Sequence, residues 1–300
     1  MTKADWIAVD WGTSNLRAWV CDSNDNVIAT PGGDKGMGSL DPSGFEPALL
    51  ELVAPYLPDT GTVPVIICGM AGARQGWAEA SYAPCPCPPP GLAQAATAPA
   101  IDPRLQVSIL PGVMQASPAD VMRGEETQIG GFLAAEPDFD GILCLPGTHT
   151  KWTHISAGEI VSFRTCMTGE LFALLSNHSV LRFGMAGEGW DAESFRKAVS
   201  DAISSPQNLS AWLFGLRAEA LLNDTGAAVT RARLSGLLLG LELAGTKPYW
   251  LGREVVVIGA PKLTELYAMA LTELAVTSRQ LAGADLSLAG IRAARNKQEI

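Results

Sequence analysis

The chain is poor in aromatic side chains (7%) and in charge (17%), and poorest in positive charge: 21 Lys and Arg stand against 31 Asp and Glu, a formal −10. Such a balance leaves no basic footprint for a phosphate backbone or an anionic bilayer, so neither nucleic acid nor membrane is expected as a partner. Long apolar runs are also missing. Residues 234–244 are broken by Gly236, Gly240 and Glu242 and fall short of the ~18–20 residues that span a bilayer. The first five residues lead into a strand-like segment rather than an apolar leader, which sets the expectation of a cytoplasmic protein. Six cysteines in 300 residues are too sparse for a disulfide scaffold. Cys85 and Cys87 have no His or second Cys pair near them in sequence, so no four-ligand structural metal is expected there. What the chain does have is apolar bulk, 47% hydrophobic, over a length that suits about two domains.

Its organisation is a repeat. Trp6-Ile-Ala-Val-Asp10 reads as a buried strand. It turns through Trp11-Gly-Thr-Ser-Asn15 into a second strand at 16–21, and turn chemistry at 22–26 leads to a third at 27–30. About 135 residues later the pattern returns: Gly141-Ile-Leu-Cys-Leu145, the turn Pro146-Gly-Thr-His-Thr150, a strand near 152–155, a turn at 156–159 and a strand at 160–163. Between the copies the spacing predicts a helix over 45–57, strands at 63–68 and 106–110, an irregular Pro-rich excursion over 85–103 and a helix over 120–135. After them come helices near 169–181, 192–203, 210–222 and 230–244, a strand at 254–259, and helices near 263–274 and 285–295.

Each small-polar turn has a mechanical reading. Backbone amides flanked by Gly, Thr and Ser can approach phosphate oxygens, and the hydroxyls add donors. Asp10 stands at the mouth of the first, placed to hold a hydrated magnesium ion, which uses few carboxylates. A single Asp-x-Gly-Thr is as readily a plain structural turn. Two copies favour the phosphate reading.

These motifs resemble the two-domain ATPase fold shared by actin, hexokinase and sugar kinases. The first phosphate motif is similar to Val9-Asp10-Trp11-Gly12-Thr13-Ser14, the second to Leu145-Pro146-Gly147-Thr148-His149, and the adenosine motif to Val257-Ile258-Gly259-Ala260. Longer stretches narrow the match: residues 10–19, Met122-Arg-Gly-Glu-Glu-Thr-Gln128, residues 146–152, Phe163-Arg-Thr-Cys-Met-Thr-Gly-Glu-Leu171 and Asn177-His-Ser179 together resemble the 2-dehydro-3-deoxygalactonokinase family. The resemblance implies an α/β, two-lobed actin/hexokinase-like (ribonuclease H-like) fold with duplicated mixed sheets and a central nucleotide cleft. It places one lobe at 1–134, the other at 135–286, and a C-terminal helix at 287–300 returning to the first. It also implies ATP and Mg²⁺ as cofactors, and phosphorylation of a small sugar acid, 2-dehydro-3-deoxy-D-galactonate, at O6 in galactonate breakdown. Phosphate contacts then fall to Gly12, Thr13, Ser14, Asn15, Gly147, Thr148 and His149, and adenosine contacts to Gly259 and Ala260. Gly259-Ala-Pro-Lys262 departs from the Gly-Thr-Ser-like loop expected there.

The attacking primary alcohol must lose its proton, and a positioned carboxylate can accept it. Related folds place that acid on the helix before the second phosphate turn, which gives Glu125 and Glu126, with Glu126 favoured by its similarity to the Glu-Glu pair of exopolyphosphatases. The acceptor's carboxylate calls for Arg123 and Arg164, whose guanidinium matches it bidentately. Thr168, Glu170, Asn177 and His178 are expected near its hydroxyls, with Gly69, Met70 and Gly72 on the opposite wall. Lys151 either neutralises phosphate charge or rides on an exposed strand, and His149 and His178 are equally readable as structural histidines. Competing readings are a kinase for another 2-keto-3-deoxy acid, an exopolyphosphatase-like phosphohydrolase and an actin-type filament ATPase; a homodimer stays open.

Overall fold

The computed structural model describes residues 2–296. The C-terminal helix expected over 287–300 is therefore described only to Asn296. The chain divides into two units: residues up to Phe139 with Ile155–Ser162 and those from Gly283 on, and Asp140–His154 with Phe163–Ala282.

The first unit opens with β1 (Trp6–Trp11), β2 (Leu16–Cys21), β3 (Val27–Ala29) and β4 (Gly32–Gly33), followed by α1 (Phe45–Val53) and β5 (Val63–Gly69). Then come β6 (Tyr82–Pro84), β7 (Ala96–Ala98), β8 (Leu105–Ile109), β9 (Gly112–Ala116), β10 (Ala119–Met122) and α2 (Glu125–Ala135). The main sheet runs β3-β2-β1-β5-β8-β7, with β4 also on β2; β1 is antiparallel to β2 and parallel to β5, and β5 is parallel to β8. A separate three-stranded sheet runs β10-β9-β6. Strands buried on both faces read as near-continuous apolar runs, and β1 and β5 are of that kind.

Three expectations are corrected here. Residues 120–122 are strand rather than helix, because Gly124 sits at φ +107, a conformation no helix interior holds, so α2 can begin only after it. The Pro-rich excursion is not wholly irregular: β7 lies within it and pairs with β8 on the sheet edge. The helix from 45 ends early, passing into a 3₁₀ turn at Ala54–Tyr56 that contains Pro55.

The second unit holds β11 (Gly141–Leu145), much of β12 (Thr150–Ser156) and β13 (Glu159–Cys166), α3 (Thr168–His178), α4 (Ala192–Ser204), α5 (Leu209–Leu222), α6 (Ala227–Gly245) and α7 (Lys247–Trp250). It continues with β14 (Val255–Gly259), α8 (Pro261–Thr272) and β15 (Ser278–Ala282); the last described helix, α9 (Gly283–Asn296), groups with the first unit. Its sheet order, β13-β12-β11-β14-β15, has the same form as β3-β2-β1-β5-β8: third, second, first, fourth, fifth. β15, unforeseen from sequence, is half-exposed and polar, and pairing with β14 rather than apolar patterning makes it a strand. α6 lies close on α4 because Gly236 and Gly240, one turn apart, remove the side chains that would strike the backbone oxygens of Phe195 and Val199. Among the described residues no helix is long and apolar enough to cross a membrane, and all six cysteines are free.

Candidate functional site

In the first unit the turn after β1 is held from below. Gly12 N donates to Asn15 O (2.9 Å), while Met37 N and Gly38 N donate to the carbonyls of Gly12 and Thr13 (3.0 and 2.9 Å). Gly36 is pressed so closely that a Cβ there would come within 2.5 Å of Ser14 N. Thr13, Ser14 and Asn15 are left exposed. Trp11 anchors the turn, tilted against Phe45 and edge-on to Trp77, with its indole N–H on Lys35 O at 3.1 Å.

Asp10, beside Cys68 of β5 and Arg17 of β2, accepts a hydrogen bond from Ser287 at 2.9 Å. Burial raises its pKa, Glu125 adds to the rise, and Ser287, Arg17 and Cys68 oppose it. Ser287 reaches Asp10 because α9 crosses α2 at glycines: a Cβ on Gly290 would collide with Thr127 O, and one on Gly131 with Leu286 O. Gln128 also donates to Ser287, at 3.3 Å. The sequence reading missed Ser287, although the small residues Ser287, Gly290 and Ala294, at helical spacing, announce a close crossing.

The acid pair begins α2. Glu126 is 1% exposed, and both its oxygens lie 2.8 Å from Gly124 N. Burial, then the charge of Glu125, pushes its pKa up to about 7 against the pull of that amide. Glu125, half-buried, accepts from Arg123 N at 3.1 Å. Both Asp10 and Glu126 act electrostatically on the Cys68 thiol, so three carboxyls gather where β1 and β5 end and α2 starts.

Arg123 lies flat on Tyr82, 4.2 Å from the ring centroid, with Nη2 on Ala80 O at 2.8 Å. Its Nε and Nη1 are buried with no partner among the described residues. Gly72 makes the space: a Cβ there would stand 2.8 Å from Nη1. Gly69, at φ +91, lies where a Cβ would meet Trp11 O at 2.5 Å, and Gly124 packs against its Cα. The structure thus gathers Gly69, Gly72, Arg123 and the acid pair, with Met70 half-buried between the glycines. Tyr82 gave no signal in the sequence.

In the second unit the turn 146–149 lies on the start of α3. Gly169 allows it, since a Cβ there would come within 3.0 Å of Thr148 Cα. Glu170 N donates to Thr148 O (3.0 Å), and the Glu170 carboxylate meets His149 Nε2 at 2.6 Å. Thr148 and His149 are exposed, and a Cβ on Gly147 would meet nothing within 4 Å. Lys151 does not ride on an exposed strand: it is 6% exposed and points Nζ back to His149 O at 3.2 Å. Gly259 backs onto the same turn, within 3.3 Å of Pro146 for a Cβ, while Ala260 precedes Pro261 at the start of α8.

The residues expected around the sugar hydroxyls are not brought together. Thr168 donates its hydroxyl to buried Glu242, and Glu170 is paired with His149. Asn177 and His178 are exposed at the other end of α3, about 15 Å away by helical rise. Arg164 is exposed on β13.

Comparison with known proteins bears directly on these motifs. The pattern of the 2-keto-3-deoxy-galactonokinase family matches residues 10–294. A Rhizobium meliloti (strain 1021) protein assigned as a 2-dehydro-3-deoxygalactonokinase is 38% identical, covering 98% of this chain and 97% of its own. The 2-dehydro-3-deoxygalactonokinase of Escherichia coli (strain K12) is 31% identical over 96% and 97%. A crystal structure of a Sinorhizobium meliloti protein given the same assignment superposes with a TM-score of 0.88 at 37% identity, covering 96% of this chain and 97% of that one.

Proposed function

The chain belongs to the 2-keto-3-deoxy-galactonokinase family, and on that premise we propose that it transfers the terminal phosphoryl group of ATP to O6 of 2-dehydro-3-deoxy-D-galactonate, in the cytoplasm, during galactonate breakdown. One observation carries the choice of a carboxylate-bearing acceptor: the two buried, unpartnered donors of Arg123. Leaving a buried donor unsatisfied costs roughly 1–3 kcal/mol, and a carboxylate that bridges Nε or Nη1 with the second N–H of Nη2 recovers part of that. Tyr82 restrains the guanidinium plane by stacking on it.

In this reading Gly12, Thr13, Ser14 and Asn15 of one unit, and Gly147, Thr148 and His149 of the other, bind phosphate oxygens; Gly259 and Ala260 contact the adenosine. Asp10 fits a hydrated magnesium ion, since its desolvated carboxyl is hydrogen-bonded by a neutral hydroxyl and thiol and faces a second carboxyl in Glu125. A magnesium ion held there would supply neutralisation of phosphate charge during transfer. Glu126 takes the proton from O6, its basicity set near neutral pH by burial; Glu125 is the alternative base. Gly69, Met70 and Gly72 wall the acceptor side. Arg164, Asn177 and His178 remain sugar-acid contacts, whereas Thr168 and Glu170 act on the turn. Exposed Val180, Phe183, Phe214, Leu221 and Leu222 favour a homodimer, which a monomeric mass in light scattering would remove.

The test is a coupled ADP-release assay across sugar acids with a no-acceptor control. Stimulation by 2-dehydro-3-deoxy-D-galactonate is expected. Stimulation by a different 2-keto-3-deoxy acid alone would reassign the acceptor, and equal release without any acceptor would favour a phosphohydrolase, for which a −10 balance offers a polyanion little attraction.

A further inference from the structure

Glu242 interrupts an apolar helix: in α6 its neighbours Leu239 and Leu243 are core residues, and it is itself 4% exposed. Trp152 Nε1 donates to its Oε1 at 2.7 Å, and Tyr267 OH donates to Oε2 at 3.0 Å. Thr168 Oγ1 donates to Oε2 as well. With Glu242 ionised, the Tyr267 proton is used on it, and the 2.6 Å contact between Thr150 and Tyr267 then has Thr150 as donor. One carboxyl therefore terminates a chain of donors from β12, α3 and α8, with no Lys or Arg in contact among the described residues.

Burying a carboxyl this way is expensive, and an apolar side chain of similar volume is often as stable or more so. Stability alone is a poor reason for a Glu here. Its partners supply a better one. Thr150 and Trp152 begin the strand that leaves the second phosphate turn, and Thr168 begins the helix on which that turn lies. On the outer side the same two segments are joined by Glu170 N on Thr148 O and by the His149–Glu170 pair. Gly147, Thr148 and His149 are thus tied directly to α3, and the segments that flank them, at Trp152 and Thr168, are joined through Glu242.

We propose that Glu242 is a positioning residue for the second phosphate turn, fixing the direction in which Gly147, Thr148 and His149 present their amides and hydroxyls to nucleotide phosphate. The inference rests on the kinase reading above. Glu242→Gln tests it because it keeps shape while reversing polarity. The indole N–H of Trp152 cannot turn, so the amide oxygen must face it. The amide NH₂ then meets two hydroxyls that must rotate away, and Tyr267 is left to donate to Thr150. Tyr267→Phe breaks the same chain while leaving the carboxyl in place, and decides the matter should Glu242→Gln not fold.

The measurements are affinity for a non-hydrolysable ATP analogue by calorimetry, steady-state kinetics for both substrates, and the melting temperature. In each variant we expect analogue binding to weaken about tenfold and kcat to fall by ~10- to 100-fold, the scale for small misplacements of a positioned group, with the sugar-acid KM within about twofold of the parent. A lower melting temperature with unchanged nucleotide affinity and kcat per folded molecule would overturn the proposal and leave Glu242 a packing residue. Failure of the parent protein itself to bind the analogue would defeat the kinase reading, and this inference with it.

Discussion

The two units carry sheets of the same strand order and a small-polar turn after the first strand of each, yet they treat their buried carboxyls in opposite ways. In the second unit Glu242 receives three hydrogen bonds from side chains fixed in three other elements, and every bond is internal. In the first, Asp10 has a hydroxyl and a thiol, Glu126 has the amide of Gly124 and a longer contact from Thr127, and Glu125 adds like charge to both. Glu126 and Glu242 are both pushed to about pKa 7, chiefly by burial. A perturbed pKa therefore does not separate a reacting group from a fixed one; the partners do. The first unit leaves charge incompletely answered where β1 and β5 end, the condition for binding a cation or taking a proton. The second spends its carboxyl on geometry.

The largest effect should come from Asp10→Asn, which removes the charge and keeps the Ser287 contact. Turnover should drop by about 10³-fold while sugar-acid affinity barely changes, because charge neutralisation matters most during transfer. Unchanged turnover at saturating magnesium and ATP would erase the distinction between the units. Next is Glu126→Gln, expected to lower kcat by ~10²-fold with acceptor affinity nearly kept, the usual scale for a lost general base. Glu125→Gln should do less. The opposite ranking moves the base to Glu125, and near-normal kcat in both removes the pair from the chemistry.

Much of this contrast was legible in the sequence, and the reason is local. Asp10-Trp-Gly-Thr-Ser-Asn15 and Pro146-Gly-Thr-His149 are contiguous, so strand and turn are readable from neighbours. Arg123, Glu125 and Glu126 share one motif. What was hidden depends on residues far apart in the chain. Ser287 reaches Asp10 across 277 positions, and Trp152 reaches Glu242 across 90. Glu242 did leave a trace, a lone acid within an apolar helical run, which is the pattern of a buried, satisfied charge. β15 left none, since its strand state comes from pairing with β14. Gly124 was visible but misweighed, because an unbroken helix over 120–135 ignored the left-handed conformation that glycine alone adopts cheaply.

A smaller effect concerns Arg123, whose buried Nε and Nη1 have no partner among the described residues. Arg123→Lys keeps the charge and loses the fork, so the sugar-acid KM should rise about tenfold with the ATP KM nearly unmoved. Gly72→Ala places a methyl group against Nη1 and should push KM the same way by a smaller factor, since the end of an arginine can shift. Arg164→Lys belongs beside them: Arg164 is exposed on β13 and has no stacking partner among the described residues to hold its fork. If neither arginine substitution alters acceptor KM, the carboxylate is bound elsewhere, and the orphaned donors of Arg123 have another use.

The last effect is on stability, and it sharpens the comparison without any substrate. A glutamate that keeps its proton to about pH 7 when folded, but releases it near its ordinary value when unfolded, leaves the native state holding more protons between those limits. Stability must then fall as pH rises through roughly 4.5 to 7 and level off above, with a slope of up to ~1.4 kcal/mol per pH step of one for each group. Replacement by Gln removes that group's share of the slope. Urea midpoints at pH 5, 6, 7 and 8 should therefore decline less steeply in Glu126→Gln and in Glu242→Gln than in the parent. The two should differ at pH 5. At pH 5 the parent's Glu242 carries one proton and the amide two, so Glu242→Gln sets one more hydrogen against the three donors and should lose stability there, whereas Glu126→Gln can still accept from Gly124 N and should sit close to the parent. Parallel pH profiles for all three proteins would mean that both carboxyls ionise freely in the folded state, and that the donors around Glu242 outweigh its burial.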